Sequence, residues 1–293
     1  MAEVARPIFD LQSHSTRSDG ELEPAAVVAA AAAAGVELLA LTDHDTVDGV
    51  AEAVAAGRRE RVEVIAAIEL SARRSAEDDV HVCGYGVDHT DATFLGRLEE
   101  YRADRELRAD RMADGLEAAG FELDRTEIER RRAAGEPIGR PHLGAAVLAP
   151  ELNAGRLAAD GIKTPGDVIE RYLVPGAAAF IPRTKPDVAE AIATIHAAGG
   201  VAVWAHPFWD LASPDEVLVE IDRFVADGLD GVECFYPSHT REQVDLLCDR
   251  CEAGGLLKTG SGDFHGPGHP IFSGFATFEL HGREPDLSGL RRD

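Results

Sequence analysis

The sequence predicts an α/β fold in which helices pack around a mainly parallel β-sheet. Short apolar runs alternate along the chain with segments of helical periodicity, and several of those segments have a proline in the first turn. The chain of 293 residues is long enough to bury the core of one barrel or of two ordinary domains. We therefore expect strands and helices to alternate, as they do where helical crossovers join parallel strands.

Seven apolar runs predict buried strands. In chain order they are Pro7 to Leu11, Val36 to Leu41, Val62 to Ile68, Val80 to Tyr85, Gly200 to Ala205, Gly231 to Phe235, and Leu256 to Gly260. Helical periodicity fills the gaps at Pro24 to Ala34, Asp48 to Ala56, Asp187 to Ala198, Pro214 to Ala226, and Thr240 to Ala253. Ser213, followed by Pro214 and two acidic residues, is a typical helix start.

Between about Asp91 and Pro175 the sequence is charged and helical, without a convincing strand. We expect residues 91–175 to form a helical insertion that caps the main domain, which comprises residues 1–90 and 176–293. The tetrad Gly139-Arg140-Pro141-His142 places an arginine and a histidine beside a turn in this insertion. The alternative is a run of solvated surface helices without a role.

The charge and composition restrict the class of partner. The 53 acidic and 29 basic residues give a net charge of -24, which disfavours long duplex nucleic acid. The longest apolar stretch is too short to cross a bilayer, and the N-terminus lacks the pattern of a secretory signal. Four cysteines are too few for a disulfide framework in a chain this long. We expect a soluble cytoplasmic protein with no membrane partner.

Imidazole and carboxylate side chains stand at the ends of most predicted strands. They include His14 and Asp19, His44, Glu69, His206, His239, Asp263 and His265, while His81 stands early in its strand. The carboxyl ends of parallel strands meet at one rim of a barrel, where active sites lie. Imidazole with carboxylate suits zinc, manganese and iron. So many ligands require two or three metals, and such a cluster favours hydrolysis of phosphate esters.

As a set, these segments resemble the PHP (polymerase and histidinol phosphatase) superfamily. The resemblance runs through Asp10-x-x-x-His14, Ser18-Asp19-Gly20, Thr42-Asp43-His44, Ile68-Glu69, Val80-His81, Ala205-His206-Pro207 and Asp263-Phe-His265. It implies a distorted (β/α)7, TIM-like barrel with a site for three divalent metals, Mn, Fe or Zn. The segments around Arg140, His239 and Gly268 suggest the stand-alone branch that acts on nucleoside phosphates and short oligonucleotides.

The resemblance also implies three sets of ligands. One metal would be held by His14, Glu69 and Asp263, a second by Glu69, His81 and His206, and a third by Asp19, His44 and His265. Glu69 would bridge two metals. His81 is a ligand only by this resemblance, because the barrel geometry alone would not place the start of a strand at the site.

One position departs from the family pattern. The pattern begins Asp-x-His-x-His, and Gln12 stands in place of the first histidine. An amide oxygen is a poorer ligand for zinc or iron than imidazole. We therefore expect fewer than three tightly held metals.

The remaining candidates would bind the substrate phosphate. In the expected mechanism a metal-activated hydroxide attacks phosphorus, Arg140 binds the phosphate, and His239 binds it or donates a proton to the leaving oxygen. His142, Arg183 and Lys185 are weaker candidates, and Asp43 is expected to orient a ligand histidine from behind.

The sequence favours hydrolysis of nucleotide phosphomonoesters, such as AMP or a 3',5'-bisphosphonucleotide. Two alternatives stay open. One is a 5'-3' exonuclease on short oligonucleotides, which shares the metal chemistry and differs in whether the cleft admits a second nucleotide. The other is a degenerate member that binds a nucleotide or metal as a sensor, which the substitution at Gln12 motivates.

Overall fold

The computed structural model describes residues 7–75, 78–134, 138–182, 184 and 186–290. Its seven strands form one sheet in the order of the chain. They are β1 (Phe9–Asp10), β2 (Leu38–Leu41), β3 (Glu63–Arg73), β4 (Asp79–Tyr85), β5 (Val201–Trp204), β6 (Gly231–Phe235) and β7 (Leu257–Gly260). Each predicted strand is present, and β3 runs five residues beyond the predicted end at Ile68.

The sheet consists of two parallel groups joined at a strand that runs the other way. Strands β1 to β3 are parallel to one another, as are β5 to β7. Strand β4 is antiparallel to β5, with Val82 opposite Trp204. The edges β1 and β7 approach each other where the Leu11 N–H donates to the Gly260 carbonyl at 3.2 Å. The result is a nearly closed, distorted seven-stranded barrel, as predicted.

Helices occupy the segments between the strands. They are α1 (Pro24–Ala33), α2 (Val50–Glu60), α3 (Ala92–Ala118), α4 (Thr126–Ala134), α5 (Arg140–Leu148), α6 (Ala154–Asp160), α7 (Pro165–Tyr172), α8 (Val188–Ala197), α9 (Pro207–Asp210), α10 (Pro214–Ala226) and α11 (Arg241–Gly254). Asp187, Ser213 and Thr240 each accept a backbone N–H at the start of a helix, which satisfies a donor that the helix leaves unpaired. Within the described ranges, no helix combines the length and apolar character that crossing a bilayer requires.

The chain divides into two compact units, each with its own apolar core. The first unit contains the barrel and draws on residues 1–72, 80–98 and 186–293; Leu39, Leu41 and Phe264 lie in one part of its core. The second draws on residues 73–79 and 99–185 and buries Met112, Leu116 and other apolar side chains of its helices. The role of residues 91–175 as a cap stays a prediction.

Candidate metal centre

All eight predicted ligand side chains converge at one end of the barrel. They belong to the segments that follow β1, β2, β5 and β7 and to β3 and β4 themselves; they are His14, Asp19, His44, Glu69, His81, His206, Asp263 and His265. Parallel strands deliver their following loops to the same end of a barrel, which explains most of this convergence.

Glu69 stands at the centre of the cluster and is fully buried. Its Oε2 lies 3.1 Å from Nε2 of His14 and 3.5 Å from Nδ1 of His44. Its Oε1 lies 2.8 Å from Nδ1 of His81 and 3.2 Å from Nε2 of His206. The two oxygens of one carboxylate therefore face two different groups of histidines.

Two other carboxylates complete the cluster. Oδ1 of Asp263 lies 3.2 Å from Nε2 of His14. The carboxylate of Asp19 lies 3.6 to 3.7 Å from ring nitrogens of His14, His44 and His265. Three groups have candidate ligand atoms within 4.8 Å of one another: His14 with Glu69 and Asp263, His14 with Asp19, His44 and His265, and His44 with Glu69 and His81.

The direction of β4 explains the position of His81. Because β4 runs antiparallel to β5, its beginning lies beside the end of β5, where His206 follows. The Ala205 N–H donates to the His81 carbonyl at 3.0 Å, and the side chains of His81 and His206 approach to 3.4 Å between Nδ1 and Nε2. A residue early in this strand therefore reaches the end of the barrel where the other strands finish.

Two candidate ligands have left-handed backbone conformations, His206 with φ 34° and Asp263 with φ 53°. Such conformations cost a non-glycine residue free energy and cluster at functional sites. Hydrogen bonds hold both residues in place. The His206 N–H donates to Oε2 of Glu233 at 2.8 Å, and Oη of Tyr236 donates to Oδ2 of Asp263 at 2.7 Å. The second bond leaves Oδ1 of Asp263 directed at His14.

Hydrogen bonds to Asp43 tie together the loop that carries His14. Asp43 accepts hydrogen bonds from the backbone N–H and the hydroxyl of Ser15 and from the hydroxyl of Ser18, each at 2.7 Å. Asp43 therefore fixes the loop that carries His14 and Asp19 through these serines. The predicted orienting role of Asp43 stays a prediction.

Asp10 is a supporting residue that the sequence reasoning did not single out. It is buried, and its carboxylate accepts backbone N–H groups from Gly262 at 3.0 and 3.1 Å and from Ala276 at 2.7 Å. Burial raises its pKa to about 7, although these N–H donors act to lower it. Asp10 thus joins β1 to the segment that carries Asp263 and His265. The family pattern at Asp10 was its only signal in the sequence.

Strong attraction between carboxylates and histidines shifts the pKa values within the cluster. Burial acts to raise the pKa of Glu69, yet the surrounding histidines hold it well below its ordinary value. Burial acts to lower the pKa of His206, yet Glu69 and nearby carboxylates raise it to about 10. Among the described residues, buried atoms such as Nε2 of His14, Oε2 of Glu69 and Oδ1 of Asp263 have no hydrogen-bond partner. Buried carboxylates require positive charge nearby. Divalent metals would supply that charge and would bind the oxygen and nitrogen atoms that have no hydrogen-bond partner. The cluster could hold metal ions.

Gln12 faces the same cavity. Its side chain is fully buried, and neither its Oε1 nor its Nε2 has a hydrogen-bond partner within the described part of the chain. It lines a cavity of about 130 Å³ together with His44, Glu69, Asp263 and other candidate ligands. A buried amide without partners is costly, and Gln12 is therefore available to contact an ion or a polar ligand in this cavity.

His239 lies within the barrel unit and is buried beside Tyr236 and Phe208. Its Nδ1 lies 3.0 Å from the Cys234 carbonyl, so Nδ1 carries the proton and Nε2 bears a lone pair. Burial lowers its pKa to about 4. Neutral His239 can therefore accept a hydrogen bond at Nε2, and donation from that atom requires protonation first.

The other substrate candidates belong to the second unit. Arg140 and His142 lie in the first turn of α5, where Nδ1 of His142 accepts the Gly139 N–H at 3.0 Å. This bond shows that His142 helps to start the helix. The contribution of Arg140 and His142 to substrate binding stays a prediction. Arg183 and Lys185 lie outside the described residues.

Comparison with known proteins yields consistent matches. The family model described as "PHP domain" matches residues 10–121. A 5'-3' exoribonuclease from Haemophilus influenzae is 34% identical, with 88% of this chain and 90% of the relative covered. A 3',5'-nucleoside bisphosphate phosphatase from Chromobacterium violaceum is also 34% identical, with coverage of 89% and 88%. A solved structure from Bifidobacterium adolescentis, whose name assigns it to the metal-dependent phosphoesterases, superposes with a TM-score of 0.73. It is 28% identical and covers 96% of this chain and 94% of its own.

Proposed function

The chain belongs to the PHP domain family, and from this membership we propose that it is a metal-dependent phosphoesterase that hydrolyses phosphomonoesters of nucleotides. AMP or a 3',5'-bisphosphonucleotide is the type of substrate proposed. The names of the two relatives, which both act on nucleotides or their polymers, support this class. The net charge of -24 favours small substrates over long duplex nucleic acid.

One observation carries the proposal: three carboxylates and five imidazoles meet around Glu69. We propose that they hold two to three ions of Mn, Fe or Zn in the three sets inferred from the family pattern. Bound there, such metals would activate water and neutralise the negative charge that grows on the phosphoryl oxygens. Gln12 favours two tightly held ions over three, because its amide replaces an imidazole.

The chain's own residues then position the substrate. Glu69, fixed by four histidines, sets the spacing between the two groups of ligands. Arg140 presents a planar pair of donors suited to two phosphate oxygens, with His142 in the same turn as a weaker candidate. His239 accepts a hydrogen bond from the substrate at Nε2 in its neutral form. Once protonated at that atom, it can pass the proton to the leaving oxygen.

A phosphate-release assay tests the proposal. The purified protein, supplied with Mn²⁺, is offered AMP, a 3',5'-bisphosphonucleotide and a short RNA under the same conditions. We expect inorganic phosphate from the mononucleotides, and chelation of the metal should abolish its release. Absence of turnover on every phosphoester, with ligand binding retained, would favour the sensor reading instead.

Exonuclease action on short oligonucleotides is a second candidate, favoured by the 34% identity to the 5'-3' exoribonuclease. The same assay separates the two. A phosphatase releases inorganic phosphate from mononucleotides, whereas an exonuclease releases mononucleotides from RNA. Faster release of mononucleotides from the RNA than of phosphate from AMP would make the exonuclease reading the main one.

A further inference from the structure

Trp209 is an exposed aromatic residue that also lines the cavity of the metal centre. Its side chain lines the cavity of the metal centre together with His44, His81 and His206, yet Trp209 is 51% exposed. The only other tryptophan, Trp204, is fully buried. An indole is a large, rigid apolar surface, and beside a polar cavity it offers a face on which a planar ligand group can stack.

The backbone holds this indole at a fixed place beside the candidate ligands. The left-handed conformation of His206 turns the chain into α9, and the Trp209 N–H donates to the His206 carbonyl at 2.8 Å. Two aromatic rings contact the indole: Phe272 at 5.4 Å and Tyr236 at 6.3 Å between ring centroids. Trp209 is therefore ordered before any ligand arrives, which lowers the entropic cost of binding.

Phe272 continues the aromatic surface toward the metal centre. Its ring lies 5.6 Å from that of His265 and is stacked on His269 at 5.3 Å. The backbone of Phe272 is fixed as well, since its N–H donates to Nδ1 of His269 and its carbonyl accepts the His265 N–H. An uncharged aromatic wall thus leads from a candidate metal ligand to the exposed indole.

The size of the cavity determines what this wall contacts. A volume of about 130 Å³ is smaller than the roughly 300 to 1,000 Å³ that sites for drug-sized ligands occupy. We expect the phosphoryl group to enter this cavity and the rest of a nucleotide to extend past its rim. The rim carries apolar rings at Trp209 and Phe272, so it suits a planar, uncharged group better than a second phosphate.

We propose that Trp209, backed by Phe272, is a stacking platform for the nucleobase of the substrate. The proposal rests on the proposed function and adds to it the group that the enzyme recognises outside the phosphate. Stacking tolerates every base, because each has a π-face. We therefore expect the protein to prefer nucleotides over sugar phosphates while discriminating little among the four bases.

The test compares AMP with ribose 5-phosphate, which lacks only the base. Trp209→Ala should lower kcat/KM for AMP by about 10-fold to 100-fold, chiefly through KM, and that for ribose 5-phosphate by less than about threefold. Trp209→Phe should retain most of the activity on AMP, because it keeps a ring. Val219→Ala is the matched control, since Val219 is 65% exposed on α10 and should change neither substrate. Equal effects of Trp209→Ala on both substrates, or none on AMP, would overturn the proposal.

Fluorescence separates this proposal from the proposed function. AMP should quench the emission of the wild-type protein, ribose 5-phosphate should not, and Trp209→Phe should abolish the response because Trp204 is buried. Quenching without turnover of any phosphoester would contradict the proposed function and support the platform. Turnover of AMP without quenching in the wild type would refute the platform and leave the proposed function intact.

Discussion

The Nδ1 atom of His81 lies 2.8 Å from Oε1 of Glu69, although His81 stands near the start of β4 and Glu69 well inside β3. The other oxygen of the same carboxylate lies 3.1 Å from His14. One buried negative charge is thus shared by histidines from distant parts of the chain.

Replacing Glu69 with glutamine should disable the cluster. The amide is neutral and offers one oxygen in place of two. Loss of a residue that only hydrogen-bonds to a metal ligand costs up to about 100-fold in metal affinity or activity. Because Glu69 is proposed as a ligand itself, metal affinity and turnover of AMP should each fall by at least about 100-fold. Elemental analysis after gel filtration and phosphate release measure the two effects. Glu170→Gln makes the same chemical change on an exposed site of α7 and serves as the control. Wild-type metal content in Glu69→Gln would contradict the bridging role.

Replacing Gln12 with histidine should increase the number of metals held per chain. An imidazole at this buried position would add a nitrogen donor to the group around His14, and zinc or iron should gain more than manganese, which accepts oxygen ligands readily. Elemental analysis of both proteins after dialysis at low free metal measures the change. Three fully retained metals in the wild type would refute the expectation, as would an unchanged count in the variant.

The buried carboxyl of Glu233 predicts how stability depends on pH in the metal-free protein. Burial raises its pKa from 4.5 to about 8, so the folded protein binds this proton more tightly than the unfolded chain. The corresponding stability is fully present below about pH 4.5 and is lost as the pH rises through about 8. Glu233→Gln removes the titration. The variant should therefore gain about 1 to 5 kcal/mol in free energy of unfolding, relative to the wild type, between pH 5 and pH 9. Parallel denaturant titrations that show a constant difference across this range would disprove the assignment.

Arg140→Ala tests the proposed contact between Arg140 and the substrate phosphate. Loss of two charge-assisted hydrogen bonds from the guanidinium to phosphate oxygens should lower kcat/KM for phosphomonoesters by about 10-fold to 100-fold. Arg171→Ala is a suitable control, because Arg171 lies in the same unit and pairs with Asp160 on the surface. An unchanged kcat/KM for Arg140→Ala would exclude this arginine from substrate binding.

The strands and most helices were predictable because local periodicity reports burial on one face of an element. The direction of β4 was not, because it depends on which neighbour the strand meets, and so His81 depended on the family pattern alone. Strand β3 was predicted to end at Ile68, yet it continues through the polar residues Glu69 and Ser71. Both are buried within the strand because Glu69 contacts histidines and the Ser71 N–H donates to Asp45. Likewise, the exposure of Trp209 and the protonation of His239 at Nδ1 depend on tertiary neighbours that no local sequence pattern encodes.

Asp10 accepts hydrogen bonds from backbone N–H groups more than 250 positions later in the chain. The candidate ligands are also far apart in the sequence, since His14 comes early and His265 late. Synthesis proceeds from the N-terminus, so the first half of the cluster leaves the ribosome long before its counterpart exists. Two of the three proposed ligand sets contain Asp263 or His265, so these two sets cannot form until the segment after β7 has been synthesised. Nascent chains that stall before β7 should therefore lack these two sets and retain less metal than the finished chain.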